Sequence, residues 1–85
     1  MNTIAEIKRF LLRALARANG LPWPDALLDE AARQGTWPPP LQSDIHQAKR
    51  ELETAGFIQG AREELDQVLT WTLTVKGLHK ARQLN

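Results

Sequence analysis

Residues 36–42 read TWPPPLQ, with three prolines in succession. Proline lacks a backbone N–H, holds φ near one value, and disfavours helical geometry in the residue before it. A helix cannot run through this segment, and a central strand cannot use it. The connection from Thr36 to Pro40 is therefore rigid and tight, and it is too short to link two domains. With 85 residues in all, the expectation is one domain spanning 1–85, near the lower size at which a single hydrophobic core suffices.

Before the prolines, two amphipathic helices are expected. Thr3-Ile4-Ala5-Glu6 has the form of a capping box, and Ile4, Ile7, Leu11, Ala14, Leu15 and Ala18 recur at helical spacing until Asn19-Gly20. Arg9, Arg13 and Arg17 form a stripe opposite that apolar face. It reads either as a solvated surface or as a ridge facing phosphates or a partner. In LPWPDALLDEAARQG, Pro24 and Asp25 suit a helix start and Gly35 its close, with Leu27, Leu28 and Ala31 on the buried side. Trp23 is positioned to staple onto Leu27.

After the prolines, a third helix is expected from Leu41 or Ser43 to Ala55, stopped by Gly56, with Leu41, Ile45, Ala48 and Leu52 inward. FIQG reads as a short strand and VLTWTLT as its antiparallel partner, because Leu69, Trp71 and Leu73 alternate with Val68, Thr70 and Thr72. Between them, AREELDQ fits a loop or one helical turn equally well. Thr74 caps a last helix, Val75 to Leu84, whose Leu78, Ala81 and Leu84 return to the core.

Composition removes whole classes. There is no cysteine, hence no disulfide and no thiolate metal site. No apolar run approaches the roughly 18 residues of a membrane span, and the N-terminus lacks a secretory pattern, so a cytoplasmic location is expected. His46 and His79 lie on different helices without metal-binding spacing, and the glycines are scattered rather than gathered in a phosphate loop. Glu63-Glu64 sits in a solvated connection where nothing would tune a carboxylate for catalysis. Neither an enzyme nor a cofactor or metal is expected.

Net charge is only +1, but it is unevenly spread. Residues 1–20 carry +3, residues 75–85 carry +3, and residues 21–74 carry −5.

The order helix, helix, helix, strand, strand, helix resembles the winged helix-turn-helix family. LQSDIHQAKRELETAGFI is similar to the third helix and first wing strand of multiple-antibiotic-resistance and PadR-type bacterial repressors, with Leu52, Gly56, Phe57 and Ile58 in the matching places. LTVKG, residues 73–77, resembles the LT-x-x-G start of the helix after the wing. The resemblance implies a mainly α domain with a two-stranded wing, and a bacterial or phage-borne regulator of transcription that binds double-stranded DNA as a monomer or weak homodimer.

In such a fold the third helix would lie in a major groove. On a helical projection Ser43, His46, Gln47, Arg50 and Thr54 share the outward face, with Asp44 and Glu51 on one flank and Glu53 on the other. Arg pairs with guanine, Gln with adenine, and Ser or His with bases or phosphates. Ser43, His46, Gln47 and Arg50 are thus the candidate base-reading residues, and Lys49 and Arg62 the candidate backbone contacts. The acidic Glu63, Glu64 and Asp66 beside Arg62 depart from the basic wing of the family and oppose phosphate contact. They support a second reading, a protein-interaction module using the acidic wing and the Trp/Pro surface. Trp71 belongs to the core and Trp23 covers it, while Trp37 fits either core or surface.

Overall fold

The computed structural model describes residues 3–84. Four helices surround a small antiparallel sheet in the order α1 (Ile4–Arg17), β1 (Trp23–Pro24), α2 (Asp25–Gly35), α3 (Gln42–Thr54), β2 (Ile58–Arg62), β3 (Leu69–Leu73), α4 (Val75–Gln83). The wing expected as a two-strand hairpin is part of a three-stranded sheet, ordered β1-β3-β2. In the added pairing Trp23 lies opposite Trp71 and Pro24 opposite Thr70.

Helix α1 is the central element. Its N-terminus is closed by the Thr3 half of the expected capping box, in which the Glu6 N–H donates to Thr3 Oγ1 at 3.2 Å. Ile7, Leu11, Leu12, Ala14 and Leu15 are buried, a wider apolar face than the six periodic positions alone imply, because α1 packs on α2, α3, α4 and β3. On α2 the buried residues are Leu28, Asp29 and Ala32. Leu27 is 60% exposed, which overturns both its expected burial and the staple to Trp23. Leu41 likewise precedes α3 as an exposed N-cap, while Ile45, Ala48 and Leu52 are buried as expected.

Helix α3 ends in a Schellman arrangement. Gly56 adopts φ +82°, the Phe57 N–H donates to the Leu52 carbonyl at 2.9 Å, and the Gly56 N–H donates to Glu53 at 3.0 Å. This end receives α4. Thr74 accepts from the Gly77 N–H at 3.0 Å, and its own hydroxyl reaches the Gly56 carbonyl at 2.5 Å. Lys76 Nζ donates to the Ala55 carbonyl at 2.6 Å and lies 4.8 Å from the Phe57 ring centre. Gly77 is buried so tightly against the Phe57 carbonyl that a Cβ would collide with it.

The AREELDQ segment forms a compact loop that contains one helical turn, closed by the Gln67 N–H donating to the Glu63 carbonyl at 3.0 Å. One Glu63 carboxylate oxygen accepts from the N–H groups of Leu65 and Asp66, Asp66 accepts from Val68, and Gln67 sits at φ +60°. Leu65, at the tip, is 94% exposed.

Replacing Gly77 by Ala drives a methyl group into backbone rather than into a flexible side chain. We expect Gly77→Ala to lower unfolding stability by about 1–3 kcal/mol, read from urea denaturation, with the fold retained.

Candidate nucleic-acid interface

Helix α3 carries Ser43, His46, Gln47 and Arg50 on its solvent face, and all four are exposed. Of the three carboxylates that flank this row, Asp44, Glu51 and Glu53, Glu51 is tied to it directly. Glu51 Oε2 accepts from Gln47 Nε2 at 2.8 Å, and Glu51 Oε1 accepts from Lys8 Nζ at 2.5 Å. These hydrogen bonds, Lys8 first and then Gln47, hold the Glu51 carboxyl below its ordinary pKa. The Gln47 amide is thereby aimed along the helix. On the other flank a hollow of about 190 Å³ is bounded by Asp25, His46, Lys49, Arg50, Glu53 and Trp71.

Lys49 requires a correction. Expected as a phosphate contact, it is only 4% exposed. Its ammonium donates to Asp25 Oδ1 at 2.5 Å and to Asp29 Oδ1 at 2.6 Å. A buried ammonium must be paired, and these two carboxylates neutralise it inside the fold, so it presents no free charge to a phosphate. The placement was readable: Lys49 lies four residues beyond Ile45 and three before Leu52, on the same side of the helix. Its charge argued outward, but α2 supplies acids one turn apart that make the inward position tolerable.

Asp25 is shared. The same oxygen that receives Lys49 accepts from the Trp71 indole N–H at 2.7 Å, so the α2 start, α3 and β3 meet at one atom. Asp29 also accepts from Gln42 Nε2 at 2.8 Å, and Gln42 in turn is bonded by Arg33. Partial burial pushes the Asp25 carboxyl up. The hydrogen bonds from Lys49 and Trp71, and then the charges of Lys49 and His46, outweigh that and hold it below its ordinary value.

Arg62 closes β2 and is exposed on the wing. One of its guanidinium nitrogens donates to the Gln67 carbonyl at 2.9 Å, buckling the loop that carries Glu63, Glu64 and Asp66. Trp37 is 86% exposed, which settles its ambiguity in favour of the surface, whereas Trp23 is half-buried against the core.

No protein-family model matches the chain, and no curated protein does. Solved structures do. A protein of Streptococcus mutans UA159, smu.1704, superposes at TM-score 0.80 with 14% identity, over 96% of this chain and 74% of that one. A transcriptional regulator from Clostridium thermocellum, Cth-833, gives 0.77 with 16% identity, over 94% and 77%. ZitR of Lactococcus lactis gives 0.69 with 21% identity, over 95% of this chain but only 55% of its own. SSV1 F-93 gives 0.71 with 21% identity, over 91% and 80%. At these identities the likeness is one of fold. The architecture is that of these proteins, one of them a transcriptional regulator, and it is compatible with a winged helix.

Removing Lys49 strands Asp29 in the interior and takes the charge partner from the partly buried Asp25. We expect Lys49→Ala to cost about 3–5 kcal/mol in urea denaturation. Because the folded-state pKa of Asp25 is depressed, its contribution is complete above its unfolded value, near pH 4, and is lost as pH falls through the lower folded value. Wild-type stability should therefore decline below about pH 4 more steeply than that of Asp25→Asn, measured by the same titration from about pH 6 to about pH 2.

Proposed function

We infer that the chain is a DNA-binding regulator of winged-helix type that reads a major groove with α3. The observation that carries this reading is the fixed, outward presentation of Ser43, His46, Gln47 and Arg50 on a helix whose opposite side is anchored by Ile45, Lys49 and Leu52. Base discrimination requires reading side chains on a rigid element, and α3 is held at both ends and in the middle. Arg50 is the guanine-reading candidate. Gln47 would exchange its bond to Glu51 for an adenine edge, and Ser43 and His46 would reach bases or phosphates. Arg62 has guanidinium N–H groups to spare for one phosphate, against the repulsion of its acidic neighbours. Lys49 takes no part.

Such a module contacts few phosphates, so its affinity should depend only moderately on salt and its nonspecific binding should be weak. Titration against selected and random duplexes tests the reading. Arg50→Ala should relax preference at one base pair by about 1–3 kcal/mol without unfolding the domain. Absence of binding to any duplex at low salt would remove it.

A specific observation favours a second reading, a protein-interaction surface. Leu27, Trp37 and Leu41 are all strongly exposed on α2 and on the connection that leads into α3. Large apolar side chains in water mark contact sites when they form a patch. Iodide should quench Trp37 readily in the free protein. Shielding of that fluorescence by a protein partner, but not by duplex DNA, would move the function to this surface.

A further inference from the structure

Helices α1 and α4 enclose a groove made of two adjoining hollows, about 260 and 390 Å³, which share Ala16 and Arg82. Arg13, Arg17 and Arg82 stand around the first, and Leu15, Leu73 and Leu78 contribute to the second. Among the described residues no carboxylate lines either hollow. Among the described residues none of the three arginines has an ion-pair partner, and Arg13 reaches only the Leu84 carbonyl, at 3.3 Å. Like charges one helical turn apart, as Arg13 and Arg17 are, repel. Among the described residues the groove is therefore a cationic rim around an apolar floor, without a counter-charge.

The wing tip is its chemical complement. Glu63, Glu64 and Asp66 surround a leucine that is almost fully exposed. The loop is already ordered by its own Glu63 and Asp66 bonds, so docking it costs little further conformational entropy. It cannot reach the groove of its own chain. Strand β3 runs from the wing at Leu69 to Leu73, which lines the groove, and its five residues separate the two by roughly 15 Å.

We propose that the wing tip of one copy docks into the α1–α4 groove of a second copy, with Leu65 on the apolar floor and Glu64 against Arg17. Wing and groove lie at opposite ends of the hairpin, so two copies laid antiparallel about a two-fold axis make the contact twice and close as a dimer. The proposal goes beyond the DNA-reading assignment, and its deciding measurement is self-association in the absence of DNA, so either can fail without the other.

Glu64 and Arg17 are the residues to exchange, because both are exposed and neither side chain makes a hydrogen bond or ion pair among the described residues. Sedimentation of the full chain at about 50 mM salt should show self-association that weakens at about 500 mM. Glu64→Arg and Arg17→Glu should each raise the dissociation constant about tenfold. An equimolar mixture of the two variants should recover wild-type association, since in the mixed pair both contacts carry opposite charges. Misfolding cannot produce that recovery. A wild-type chain that stays monomeric at low salt overturns the proposal, as does association indifferent to both variants or a mixture that is no stronger than its components. So does a monomer whose Arg17→Glu variant loses affinity for duplex DNA, which would assign the groove to nucleic acid.

Discussion

One ammonium group, that of Lys49, sits where a hydrophobic side chain would ordinarily be, and the arrangement of three elements follows from how it is neutralised. Burying a lone charge would cost several kcal/mol, so α3 can pack in this orientation only if α2 brings Asp25 and Asp29 to it. Those acids lie one turn apart at the start of α2, so meeting both fixes the rotation and the height of α3 against α2. Trp71 then binds the same Asp25 oxygen from the sheet. Helix rotation is the quantity that matters for the surface, because the residues beside Lys49 in sequence include Arg50 and Gln47. An inward Lys49 places Arg50 outward.

Much of the fold was legible because its determinants are local. Thr3 and Thr74 cap their helices with the residue types that favour caps, Gly56 supplies the left-handed turn after α3, and the alternation around Trp71 marks β3. What escaped depends on distant partners. Strand β1 has two residues, one of them a proline, and no alternation to betray it. On α2 a run of Leu27-Leu28 offers two neighbouring apolar faces, and only packing against α1 decides that Leu28 and Ala32 go inward. The partners of Lys49 stand 20 and 24 residues upstream, beyond any periodic signal. For the candidate site, the solvent row on α3 was readable from spacing alone, but the Gln47–Glu51–Lys8 chain that borders it needs α1 beside α3.

Charge is partitioned more sharply in space than along the sequence. The bases of both chain ends come together because α1 packs on α4, whereas the acids of the middle are spread over α2, α3 and the wing. A net charge of +1 therefore conceals an uneven distribution of charge. Its long-range effect is orientational: it favours particular approaches of a charged partner before any contact is made, and added salt erodes that preference.

The two-residue strand β1 has a consequence for sheet growth. A sheet that ends on an unpaired strand invites a foreign chain to add to it, and short or proline-bearing borders discourage this. Here β3 is shielded on both sides, and the border formed by Trp23 and Pro24 offers almost no ladder to extend, since Pro24 has no N–H to give. Among the described strands the border open to edge-on addition is β2, which holds Gly60 and Arg62, a flexible residue and a charge that both oppose it.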